Sequence, residues 1–156
     1  MRTLSYSLVV AAAAAAMVAP RGAAAQAPRD DFQWGPAPAV FPAGAQMAVL
    51  DGNPGSAELF TVRLRLPNGY RIPPHTHPTD EHVTVIQGVF AVGMGTKFDA
   101  AGMKKLPAGG YVTAPANMAH YAEARGATIV QVHAMGPFAL TYVNPADTPA
   151  AARSGH

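Results

Sequence analysis

The sequence predicts an all-β barrel or sandwich, and three observations carry that expectation. Short segments with strand character recur between glycines and prolines, residues 59–66 (LFTVRLRL) alternate cleanly between apolar and polar, and no long 3.6-residue period is visible.

Taken in order, residues 27–42 (APRDDFQWGPAPAVFP) are proline-rich and hold the only tryptophan, Trp34. Proline fixes φ and removes a donor, so this stretch reads as an extended arm. Residues 47–50 are a strand that leads into Asp51-Gly52-Asn53-Pro54-Gly55, a strong turn signal. In the next strand Phe60, Val62, Leu64 and Leu66 share one face, while Thr61, Arg63 and Arg65 share the other and are expected to meet solvent. Further strands are expected at residues 70–72, 82–87, 89–94, 105–106, 111–114, 120–124, 128–134 and 138–143, with Gly88, Gly126 and Gly136-Pro137 among the separators. Residues 98–103 alone read as a helical turn. The resulting plan is a leader at residues 1–25, an arm at 26–45, a barrel at 46–146 and a flexible tail at 147–156.

The leader is read from Arg2, the apolar run LVVAAAAAAMVA and the small residues Ala23, Ala24 and Ala25 ahead of Gln26. That is the pattern of a secretory signal peptide, and its apolar core is too short to serve as a permanent membrane span. Removing it takes away Arg2 and Arg21, leaving nine basic residues against nine acidic ones. The pI near 9.2 therefore belongs to the precursor and signals neither nucleic acid nor an anionic membrane as partner. A chain without cysteine has no disulfides and no thiolate ligands, so any metal must be held by nitrogen and oxygen. The expected location is the periplasm or the extracellular medium.

Chemistry concentrates in GYRIPPHTHPTDEHVTVIQG, residues 69–88, where His75, His77 and His82 stand with Asp80 and Glu81 in eight consecutive positions. His75 and His77 are two apart and share a face in extended chain. Pro78, Thr79 and Asp80 read as a turn that returns the Glu81 carboxylate to the two imidazoles, after which Val83 and Val85 follow on the side of Glu81 while His82 faces away. Three polar groups aimed into a barrel are costly to bury without partners, and a divalent cation would satisfy all three. His120, following a proline-containing turn at a strand entrance, is the candidate fourth ligand. Three imidazoles and a carboxylate suit Mn, Fe, Ni, Cu or Zn rather than Mg or Ca.

Gly69, His75, His77, Glu81 and Gly88 meet every spacing of the first motif of the cupin superfamily, which this sequence resembles. Gly109, Pro115 and His120 fit the second motif, with Asn117 in place of a glycine and Ala124 in place of the final asparagine. Asn is the commonest substitute where a turn needs positive φ. The resemblance implies a jelly-roll barrel, or double-stranded β-helix, with His75, His77, Glu81 and His120 as metal ligands. It also implies a homodimer with exchanged terminal strands.

With one transition metal, Mn or Fe favoured, the expected activity is dioxygenase-type oxidation of a small neutral, phenolic or dicarbonyl compound. Metal-assisted isomerisation or lyase chemistry, and disposal of reactive oxygen at a Mn site, are further enzymatic readings, and a non-catalytic metal- or ligand-binding module is the reading from another class. Gln131, His133, Met94, Tyr111 and Phe60 are candidate pocket residues or partners of the ligands. Val62 and Met118 are further candidates for the barrel lining.

Overall fold

The computed structural model describes residues 31–150, so the expected leader, the first residues of the arm and the last six of the tail lie outside the described residues. Among the described residues nine strands form one curled antiparallel sheet: β1 Gly35–Pro36, β2 Gln46–Asp51, β3 Leu59–Leu66, β4 Arg71–Thr76, β5 Glu81–Met94, β6 Lys104–Pro107, β7 Tyr111–Ala114, β8 His120–Met135 and β9 Thr141–Tyr142. The order is β1-β2-β3-β8-β4-β9, with β5 pairing β6, β7 and β8.

β3 behaves as its alternation requires. Phe60, Val62, Leu64 and Leu66 are buried, and the strand pairs β8 without a break from Leu59↔Met135 to Leu66↔Thr128. Each such side chain stabilises the fold by about 1.5–3 kcal/mol through burial. Its other face does not meet solvent freely: Arg63 lies over the Phe32 ring at 4.6 Å and Arg65 over the Trp34 ring at 4.1 Å, so the arm covers both cations. The arm closes on its own chain, pairing Gly35 with Met47 and Pro36 with Gln46.

The largest departure from the expected elements is that two pairs of short strands are two long ones. β5 runs through Gly88 and β8 through Gly126, both at positive φ. The two strands pair along nearly their whole length, from Glu81↔Ala134 to Met94↔His120, with register shifts between Val85 and Val89 where the ribbon bends. This doubled ribbon curls the sheet into a barrel and brings its two far ends face to face.

Residues 98–103 form bends and no helix. The Asp99 carboxylate accepts a hydrogen bond from the Ala101 backbone at 2.9 Å, a local turn that competes with helical bonding. Phe98 is held by Tyr121, 5.1 Å between ring centroids. β9 is only two residues long because Gly136-Pro137 and the following loop turn inward: Phe138 packs on Phe41 and Phe60, and Leu140 is buried.

Tyr142 ties this end to the arm by donating to the Val40 carbonyl at 2.8 Å, and burial holds its pKa up at about 12, so the donor proton is present at neutral pH. Tyr142→Phe should lower stability by about 1–2 kcal/mol in urea unfolding. A loss well beyond that would mean the ring packing, not the hydrogen bond, was disturbed.

Candidate metal centre

Four side chains meet inside the barrel. His75 ends the buried part of β4, His77 follows it, Glu81 opens β5 and His120 opens β8; all four are at least nine-tenths buried. A register shift between Ile72 and His75 turns His75 inward across the Pro73-Pro74 step, which leaves Arg71 outside, paired with Glu123 at 2.9 Å. Pairing of His75 with His120 aligns β4 and β8, while Glu81 arrives from the opposite end of the folded ribbon.

The hydrogen bonds of the rings fix which nitrogen is free. His75 Nδ1 donates to the Pro73 carbonyl at 2.7 Å, His77 Nδ1 to the Ala139 carbonyl at 2.7 Å and His120 Nδ1 to the Met118 carbonyl at 3.1 Å. A carbonyl can only accept, so each Nδ1 carries the proton and each neutral ring offers the Nε2 lone pair. The ligating atoms of His75, His77 and His120 lie within 4.8 Å of one another. The Glu81 carboxylate is 3.4 Å from His120 Nε2 and 3.6 Å from His77 Nε2.

Neither His77 Nε2 nor His120 Nε2 has an aligned hydrogen-bond partner despite being buried. Such orphaned atoms are expensive, and converging ones fit a cation. Two ligands on one ion are separated by at most about 4.4 Å, twice a metal–nitrogen bond, so the cluster needs little contraction to close on one. The residues present therefore fit a metal.

The charges follow the same geometry. Burial, reinforced by the neighbouring imidazoles, lowers the His75 pKa to about 3, so this ring is neutral in ordinary buffers. Burial acts to raise Glu81, but His120, His77 and His75 around it outweigh that and hold its pKa below the usual carboxylate value. For His120 burial acts downward, yet the Glu81 carboxylate and the Met118 carbonyl prevail and its pKa is raised. Protonation of His120 therefore competes with a cation for its Nε2. Metal uptake should release protons and weaken as pH falls through the His120 titration, which calorimetry in buffers of different ionisation enthalpy would measure. Pronounced pH independence would count against ligation by His120.

The other expected pocket residues are not brought to the cluster, with two partial exceptions. On β8 the buried positions are Val130, Val132 and Ala134, so Gln131 and His133 point outward. Gln131 accepts from Arg63 at 3.2 Å, and His133 stacks on His82 with 5.0 Å between centroids. Tyr111 is half exposed and bonds His82 Nδ1 at 2.6 Å. Met94 and Met118 are also exposed, Met94 beyond the last buried position of β5. Phe60 is fully buried and Val62 nearly so, and both border an apolar cavity beside the cluster. Asp80 serves the turn as expected, accepting from the Ala116 backbone at 2.7 Å.

The sequence reading missed the loop after β8. Phe138 comes to 5.1 Å from the His77 ring, and the Ala139 carbonyl orients that ring. No periodicity marks a loop residue, and a backbone carbonyl has no residue signature at all. Asn117 stands at φ 60 in the turn before His120, the left-handed position for which asparagine is the commonest substitute for glycine.

A curled antiparallel barrel with three histidines converging from β4, the turn after it and β8 defines a cupin, and the cluster fits a metal-binding one. The chain matches the ChrR cupin-like domain over residues 23–139 and belongs to that family. No curated protein matches the sequence. Among solved structures, a putative acetylacetone dioxygenase from Methylibium petroleiphilum is 26% identical, with a TM-score of 0.60 over 79% of this chain and 83% of that one. An RmlC-like cupin from Shewanella frigidimarina is 19% identical, with a TM-score of 0.53 over 69% of this chain and 86% of the other. A salicylate 1,2-dioxygenase variant from Pseudoaminobacter salicylatoxidans, in complex with gentisate, is 17% identical, with a TM-score of 0.51 over 60% of this chain and 26% of that one.

Proposed function

We propose that this chain is an exported metal-dependent cupin oxidoreductase of the dioxygenase type, acting on a small neutral, phenolic or dicarbonyl compound. The observation that carries the reading is the pinning of three Nδ1 atoms to carbonyls, which aims three Nε2 atoms and the Glu81 carboxylate at one buried point. The likeness to a putative acetylacetone dioxygenase supports a dicarbonyl substrate. His75, His77, Glu81 and His120 would hold the ion, Mn or Fe in preference to Ni, Cu or Zn. When bound, such a metal supplies Lewis acidity and redox chemistry toward an oxygen-bearing substrate and dioxygen. The chain's own part is to keep His75 neutral, to keep Glu81 ionised, and to shield the centre from water with Phe138 and Leu140.

A specific observation favours the non-catalytic reading as well: the cavity at the cluster is only about 20 Å³, roughly one water. Oxygen consumption by the metal-loaded chain with acetylacetone and small phenols separates the two. Uptake of oxygen beyond that of the His77→Ala variant supports the enzyme, and none with any substrate moves the reading to a binding module. Export rests on the pattern of residues 1–25; a mature N-terminus other than one near Gln26 in the native host would remove it. Homodimerisation belongs to the same proposal, and light scattering that gives the mass of one chain would end it.

A further inference from the structure

The space at the histidine cluster and the space beside it differ in kind. The cluster cavity, at about 20 Å³, accepts an ion and little else. Next to it, between the arm and β3, lies a cavity of about 210 Å³. Val40, Phe41, Met47, Phe60, Val62 and Phe138 are among its walls, and no ionisable side chain lines it. Phe41, Leu64 and Val132 border both cavities. Phe138 lines the larger cavity and also packs on a ring of the cluster: its ring centroid is 5.1 Å from that of His77, 6.0 Å from Phe41 and 5.6 Å from Phe60.

We propose that this chamber binds the apolar body of a small uncharged molecule, about the size of one aromatic ring or a branched six-carbon skeleton, with Phe138 as the partition between it and the cluster. The size follows from volume, since an apolar cavity of about 150 Å³ admits benzene. The charge follows from the lining. An ion entering the chamber would lose part of its hydration and find no charged partner, so the lining favours an uncharged apolar body. The partition follows from the loop that carries Phe138. Its backbone N–H donates to the Pro54 carbonyl at 2.6 Å, and the next residue's carbonyl orients His77, so one loop sets both the wall of the chamber and a candidate ligand. Phe138 is only half-buried. The role of the partition rests on the cluster being the reaction centre proposed above, whereas the chamber itself does not.

The probe is benzene, titrated into the full chain with and without the diamagnetic ion Zn and followed by NMR of the methyl groups. Saturable binding of one benzene in both forms, with shifts at Val40 and Val62, is expected; no saturation overturns the chamber. Met47→Trp fills the chamber from its half-buried rim and should weaken benzene at least tenfold. Val40→Trp does the same from the arm if the first variant does not fold. Unchanged affinity in a folded variant overturns the proposal. In the wild type the His77 ring signals should stay still on benzene binding, and in Phe138→Ala they should move; signals equally still in both overturn the partition. Metal content is measured on the same samples. A chain that binds benzene but no metal would sink the metal reading and leave the chamber standing.

Discussion

His77→Ala should strip the metal from the chain while His82→Ala leaves it in place. The two histidines are five residues apart, yet the fold separates them completely. His77 is buried with its Nε2 unpartnered and aimed at the cluster. His82 lies on the outer face, its Nδ1 engaged by Tyr111 and its ring stacked on His133. Loss of a partner that merely orients a ligand costs about 10–100-fold in metal affinity, so loss of a ligand itself should cost at least about 100-fold. Elemental analysis of the purified chains should read about one metal per wild-type and His82→Ala chain and almost none in His77→Ala. A chelator should then lower the melting temperature of the first two and leave that of the third unchanged, because only a chain that binds metal gains stability from it. Equal metal loss in both variants would overturn the assignment of faces.

Gly88→Ala should be the most damaging single methyl that can be added to the barrel's bend. Gly88 sits at φ +78, and a Cβ there would fall 2.5 Å from the Ala127 carbonyl oxygen and 2.7 Å from Thr128 Oγ1. The left-handed conformation costs an L-residue about 1–2 kcal/mol and overpacking about 1–3 kcal/mol, so urea unfolding should show a loss of about 2–5 kcal/mol. Gly126 has nearly the same dihedral, φ +80, but nothing lies within 4 Å of its added Cβ, so Gly126→Ala should lose only the conformational part, about 1–2 kcal/mol. The contrast isolates the close approach of β5 and β8 at the bend. Equal losses would show that the ribbon relaxes around the methyl. Because the bend carries Glu81 back to His120, Gly88→Ala should also weaken metal binding, which Gly126→Ala should do to a lesser degree.

Much of the barrel was legible in the chain, for reasons tied to particular residues. The period of two in β3 leaves one way to bury Phe60, Val62, Leu64 and Leu66 together, and the structure buries all four. The spacing of His75, His77 and Glu81 around a proline turn placed three of the side chains that converge, and His120 after Pro115 joined them as a candidate supported by the resemblance to the second cupin motif. Less was legible where a residue has two consistent readings. Gly88 and Gly126 separate strands as readily as they bend them, and only the pairing of β5 with β8 decides. Gln131 and His133 could face either way until pairing of His133 with His82 and Thr61 placed them outside. Arg63 and Arg65 read as solvated because no local pattern announces that Phe32 and Trp34 will lie against them.

By itself, then, the sequence determined the all-β class, the inward face of β3, the nitrogen-and-oxygen donor set and the positions of the four converging residues. All of these depend on residue type and on spacings of a few positions, over which backbone geometry is nearly invariant. The tertiary structure alone decided that two long strands fold double, that three backbone carbonyls choose the free nitrogen of each histidine, and that the loop after β8 brings Phe138 to 5.1 Å from the His77 ring. Those outcomes join residues as far apart as His77 and Ala139. Contacts of that range are set by how the sheet curls and packs as a whole, and a backbone carbonyl is the same group in every residue, so no short stretch of chain encodes them.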